Sequence, residues 1–487
     1  MPTDGGKLSA EEEKLKEHEE RNRDLENGSG SAPPFTTPKS SLGNQNISST
    51  LETLLCYPPP DSLRITTTSW LDGVRGVAAL TVYIFHAMAI WASTVPAWHA
   101  DANQNSVFQM PLIRTIFVSG GSAVAVFFAL SGYVLTYKSM KAIRKGSAHL
   151  VYPAVASSAF RRGFRLFLPP VILTFCEMIA TRFGFYPPLS FSFVMEPTFA
   201  EQFKDWLWET NKLINPYFNA KQAILGSVVD HPKYDAVIWT IPLEYYGSLA
   251  CYSLLLIMTR IPSDTARVAL LSVLSILYMG IGSWNMFCFT AGILISNLTL
   301  SQEEKDNPPP SPKKVRIYTI ILIVAFYIAG LPTMGTPETL TNPMPGFETL
   351  RALTPKNIHL MDLGRFWWSI SGVSILLCIS QLPRFKRVFE SNLCQYFGKI
   401  SFSLYLVHEF CIIIFGLALQ RTLCWLVGVQ PKAGGFMHWV VCVIWFGMFT
   451  GIVFGISGQV ERWIDRPSVM FSKWFEGRCR KWYAGTQ

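Results

Sequence analysis

The chain has 487 residues, 49% of them hydrophobic and 15% charged. A soluble chain of this size is nearer one quarter charged and gathers its apolar residues into amphipathic stretches, so the balance excludes an ordinary soluble enzyme and predicts an all-α polytopic membrane protein. The formal net charge of +9 sits in groups between apolar runs, which is loop bias and not a nucleic-acid patch. The ten cysteines show no CxxC pair and lie mostly inside apolar runs, so neither a zinc site nor a disulfide framework is indicated and no metal is expected.

Residues 1–68 are polar, opening on KLSAEEEKLKEHEERNRDLE and continuing through Ser, Thr, Pro and Asn. A short frayed helix and a disordered cytoplasmic tail are expected there. No basic-then-apolar cleavable leader is visible, so the first apolar helix acts as the insertion signal. Ser69 and Asp72 have capping-box spacing at its start.

That first helix, near 71–92, carries Arg75 and His86 eleven positions apart. Eleven residues are about three turns, which puts both side chains on one face, ~16 Å apart along the axis. Ionisable groups in hydrocarbon cost about 2.5–3.5 kcal/mol each on insertion scales, which favours a functional use. The alternative is a snorkelling arginine and a histidine bonded to a neighbouring helix.

Nine further apolar spans follow, near 116–137, 166–183, 236–259, 266–281, 284–299, 316–331, 366–382, 400–421 and 437–459. About ten transmembrane helices put both termini on one side. The Lys/Arg-rich loops, with Lys138 to Lys145, Arg161 to Arg165, Lys313 to Arg316, Arg384 to Arg387 and the tail from Arg462 to Lys481, make that side cytoplasmic. The organisation is a polar tail (1–68), a transmembrane domain (69–470) and a basic cytoplasmic tail (471–487), in an endomembrane or the plasma membrane. Within the long loop 184–235, EQFKDWLWETNKLI has the pattern of an amphipathic surface helix, a lid or a plain cover.

Few ionisable residues fall inside the spans: His86, Glu177, Glu244, His408 and Glu409, with Arg75, Arg162 and Arg165 at the cytoplasmic margin. Arg162 and Arg165 share a helix face and suit phosphate, or are simply topogenic. With Arg75 they offer three guanidiniums to a phosphorylated carrier with a long arm, such as an acyl-coenzyme A, whose thioester would end beside His86. A neutral imidazole there can take the proton of an attacking hydroxyl. Glu244 either orients a histidine or binds acceptor hydroxyls, or is a protonated carboxyl bonded between helices. Ser401, Tyr405 and His408 form a polar stripe that lines a substrate cavity or glues helices together.

Four stretches resemble the membrane-bound acyltransferase 3 family, in family order. LDGVRGVAALTVYIFH is similar to its opening helix with the Arg-x10-His signature (Arg75, His86); FFALSGYVLTYK to the second-helix pattern (Ser131, Gly132); FRRGFRLFLPP to the RxxR motif (Arg162, Arg165); and ISFSLYLVHE to the ninth-span pattern (Tyr405, His408). The resemblance covers about 70–470 and implies a ten-helix O-acyltransferase that passes an acyl group, most often acetyl, from cytosolic acyl-CoA to a hydroxyl of a small-molecule natural product or a carbohydrate. It implies His86 as the catalytic residue, with Glu244 beside it. Arg75, Arg162 and Arg165 are expected to bind the donor, and Ser131, Tyr405 and His408 the substrate. The partners are then acyl-CoA, the hydroxylated acceptor and membrane lipid. IWTIPLEYYGSL departs from the bacterial pattern and looks like members from filamentous fungi. A transporter or flippase, or a silent scaffold, are the competing readings; no obvious pair of matching broken helices supports the former.

Overall fold

The computed structural model describes residues 65–92, 98, 107–185, 195–226, 232–305, 309–332, 344–355, 364–431 and 434–485. The expected polar tail lies outside them up to residue 64. Among the described residues the regular elements are helical, and those of seven residues or more are α1 (Ser69–Ala89), α2 (Gly120–Arg144), α3 (Val151–Arg182), α4 (Phe199–Ile214), α5 (Pro216–Leu225), α6 (Thr240–Met258), α7 (Asp264–Gly280), α8 (Trp284–Glu303), α9 (Pro312–Ala329), α10 (Phe347–Leu353), α11 (Gly364–Gln381), α12 (Pro383–Phe389), α13 (Asn392–Cys411), α14 (Leu417–Val427), α15 (Phe436–Val460) and α16 (Arg466–Gly485). Five stretches are long and apolar enough to cross a membrane: Gly120–Arg144, Ala148–Arg182, Ala236–Met258, Asn392–Val427 and Phe436–Tyr483. The pair α11–α12, bent by 103°, makes a sixth if counted as one.

Local chemistry sets several helix starts. Thr198 and Glu201 form a reciprocal capping box ahead of α4, the helix expected from EQFKDWLWETNKLI. Ser263 caps α7, and Ser311 followed by Pro312 caps α9. The capping box expected at Ser69 is absent. Thr68 holds the cap position without a side-chain bond, and Ser69 Oγ instead accepts the Thr66 N–H at 2.7 Å.

Two basic segments differ from expectation. The third span, expected to start at 166, is the inner part of a helix that begins at Val151, and the basic C-terminal segment is the helix α16. They pack antiparallel, Phe164 on Phe471 and Arg161 on Glu476 (3.2 Å). Charges that read as loop from hydropathy alone are helical because each helix covers the other's aromatic face.

Side-chain contacts give the helix directions. Contacts advance together along α1 and α13 (Arg75 with Gly398 and Ser401, His86 with His408), so the two run parallel. So do α2 and α8, through Phe128–Trp284 and Tyr137–Glu303. Antiparallel pairs are α7 with α8 (Asp264–Asn297, Ser275–Thr290), α9 with α11 (Ala325–Ser371, Leu331–Trp368), and α13 with α15 (Lys399–Glu461, Gly416–Trp445). Close approach depends on missing side chains. A Cβ at Gly132 would stand 2.1 Å from the Phe289 carbonyl oxygen, and one at Gly76 would stand 2.3 Å from the Gly398 amide nitrogen.

Candidate active site

His86 occupies the last turn of α1, three residues from its end, and His408 lies well inside the 36-residue stretch Asn392–Val427. His408 Nε2 is 3.1 Å from His86 Nδ1. His408 Nδ1 faces the carbonyls of Tyr405 (2.7 Å) and Leu404 (3.1 Å), which only accept, so that nitrogen carries the proton and Nε2 is left as an acceptor. His86 Nδ1, 3.0 Å from the Val82 carbonyl, then donates both to it and to His408. The network assigns one tautomer throughout and leaves His86 Nε2 with a free lone pair. His408 is fully buried, whereas His86 keeps some accessible surface.

Toward the start of α1 lies a group of guanidiniums. Arg75 donates through Nε to Ser401 Oγ and through Nη2 to the Gly398 carbonyl, both at 3.0 Å, and pairs with Asp72 at 3.0 Å. Arg162 pairs with Glu244 and donates to Ser248 Oγ at 2.9 Å, and Ser131 donates to the same Glu244 oxygen at 2.7 Å. Arg165 is within electrostatic reach of Arg162, Arg75 and Asp465, and no hydrogen bond holds its side chain among the described residues. Its side chain is exposed.

Toward the other end lie three acids. Glu177, fifteen residues beyond Arg162 on α3, is ~22 Å further along the axis. It lies within electrostatic reach of Asp235 and Glu409, and all three are buried. Both oxygens of Glu177, one of Asp235 and one of Glu409 lack a hydrogen-bond partner, and no ion pair holds any of the three among the described residues. Three carboxylates so placed repel one another without a compensating cation, so they do not all carry charge together.

The structure thus brings Arg75, Arg162, Arg165, Glu244 and Ser131 into one region and His86 and His408 into another. Glu244 bonds Arg162 and Ser131; the hydrogen bond to His86 comes from His408. Tyr405 ties α13 to the start of α6 through the Val237 carbonyl and Thr240 Oγ1 (2.6 Å). Sequence reasoning missed Asp235, which stands one residue outside its apolar run, and the acids Glu461 and Asp465. The signal for the last two is ERWID, two acids four apart at the end of the last apolar run.

Helices apolar and long enough to cross a membrane, with a histidine pair in one tautomer and a group of guanidiniums packed among them, fit the class of membrane enzymes. The chain is a member of the acyltransferase 3 family: the family model described as an acyltransferase domain matches residues 68–457. It is 28% identical over 431 residues to the O-acetyltransferase PaAT-1 of Phomopsis amygdali, covering 84% of each chain. It is 25% identical to the acyltransferase R4 of a Phoma species (84% of this chain, 95% of that one) and 25% identical to the acyltransferase clz18 of Cochliobolus lunatus (73% and 84%). No solved structure matches the chain.

Proposed function

We propose that this acyltransferase takes an acetyl group from cytosolic acetyl-CoA and passes it, within the membrane, to a hydroxyl of a small-molecule natural product or a carbohydrate. The observation that carries the reading is the free lone pair of His86 Nε2, fixed by His408 and Val82. The donor phosphates sit on Arg165 and on the unengaged edges of Arg75 and Arg162. From that level the pantetheine arm has ~16 Å of helix to travel to His86. The base removes the acceptor's proton as its oxygen attacks the acyl carbon, the C–S bond breaks, and the same proton passes to the departing sulfur. His408 positions the base, and Glu244 acts through Arg162, which it holds together with Ser131. Acetyl as the acyl group follows the name of the Phomopsis relative.

The observed helix directions support the ten-span arrangement. The apolar runs numbered one and nine are parallel, as are two and six, while five and six, seven and eight, and nine and ten are antiparallel. Strict alternation requires each of these. Both termini then share the cytoplasmic side with the basic α3–α16 pair.

The test is CoA release from acetyl-CoA by detergent-purified protein with candidate acceptors. His86→Ala is expected to lose about 10²–10⁴-fold in turnover while still binding acetyl-CoA. Arg165→Ala is expected to weaken donor binding with little change in turnover at saturation. Equal turnover in a folded His86→Ala protein overturns the assignment.

A further inference from the structure

A cavity of about 780 Å³ lies between α2, α8, α9, α11 and α12, lined by neither the histidine pair nor the guanidinium group. Lys386 of its wall sits 5.1 Å over the ring of Trp70. Trp70 and Arg75 are five residues apart on α1, ~140° round the helix, so α1 stands between this cavity and the guanidinium group.

Three lysines face one carboxylate here. Lys141 Nζ is 3.4 Å from Glu303, which also accepts the Tyr137 hydroxyl at 2.6 Å. Lys386 has the Trp70 ring, and the Lys314 ammonium makes no ion pair among the described residues. Lys314 is in the first turn of α9, whose capped N-terminus at Ser311 also lines the cavity and adds positive potential. Above it, Ile317, Ile320, Ile321 and Val324 are exposed on the outward face of α9. Steps of three and four residues put this apolar stripe in line with Lys314. A basic cavity at the foot of an exposed apolar stripe matches a molecule with an anionic head and hydrocarbon tails.

We propose that this cavity binds the phosphate of an anionic lipid of the cytoplasmic leaflet, the head on Lys314 and Lys386 and the acyl chains along α9. The leaflet rests on the orientation proposed above. The shared chemistry is a phosphate ester, which a soluble phosphate compound also offers.

The experiment places the full-length protein in phosphatidylcholine nanodiscs with and without dioleoylphosphatidic acid and follows thermal unfolding and bound lipid by native mass spectrometry. Phosphatidic acid is expected to stabilise the protein saturably. Lys314→Ala and Lys386→Ala should each weaken its apparent affinity about five-fold, and Lys314→Arg should retain it. Glycerol 3-phosphate giving the same saturable shift, lost in the same variants, would keep the phosphate site and overturn its lipid source. Unchanged lipid affinity in Lys314→Ala, an exposed position whose change leaves the fold intact, overturns the proposal. An inverted orientation shows separately, as an N-terminal tag shielded from protease in sealed vesicles of known sidedness.

Discussion

On the Arg75 side of the two histidines, Arg162 is matched to Glu244 and Arg75 to Asp72, and Ser131, Ser248 and Ser401 complete the hydrogen bonding. On the far side, Glu177, Asp235 and Glu409 face one another, with carboxyl oxygens left unbonded. The first group matches its charges in pairs, with Arg165 held by no hydrogen bond among the described residues. The second has no ion-pair partner among the described residues, so full charge on all three acids would set them against one another. Along one bundle, then, paired guanidiniums give way to unpaired acids, with the proposed base between.

The largest expected effect breaks the paired side. Arg162→Ala strands the Glu244 carboxylate, whose side chain is 14% exposed, and should cost about 3–5 kcal/mol in detergent unfolding. Adding Glu244→Gln should restore much of that loss, and failure to do so would mean Arg162 stabilises by packing and not by pairing. On the unpaired side Glu177→Gln, which removes a buried acid without changing its shape, should be neutral or raise the unfolding free energy by up to about 1 kcal/mol. A loss as large as that of Arg162→Ala would show that Glu177 is ionised and matched after all. The smallest effect belongs to a paired acid at the rim. The hydrogen bonds of Arg144 hold the Glu304 carboxyl below its ordinary range, so its contribution is present above the unfolded carboxylate pKa of about 4.3 and fades as pH falls through the lower folded value. Because Glu304 is 49% exposed, Glu304→Gln should cost at most about 1 kcal/mol at pH 7, and the difference from wild type should shrink on acidification in a melting series.

Much of the site is legible along single helices, because helical spacing is a local property. Arg75 and His86 on one face, the Arg162–Arg165 pair and the Ser401–Tyr405–His408 stripe all stand in the structure as spaced. What spacing does not contain is the neighbour. On its own helix His408 reads as lining a cavity or as glue between helices, and only the parallel packing of α1 on α13, across 322 residues of chain, makes it the partner of His86. The helical start of α3 is hidden for a related reason. Arg161 and Arg162 lower its hydropathy, and the surface that pays for its order, α16, comes three hundred residues later. Asp235 is invisible because its burial is a tertiary fact at the edge of an apolar run.

Beyond the Gln395 bond to the Ser69 carbonyl at its start, the contact between α1 and α13 carries two rungs, Arg75 on Ser401 and His86 on His408, with Gly76 against Gly398 beside the first. Rungs ~16 Å apart on two stiff rods fix their register as two pegs fix a ruler. A slip of one turn would unseat the guanidinium and the imidazole together. The register of this one helix pair is therefore what sets the distance from the Arg75 guanidinium to the two imidazoles.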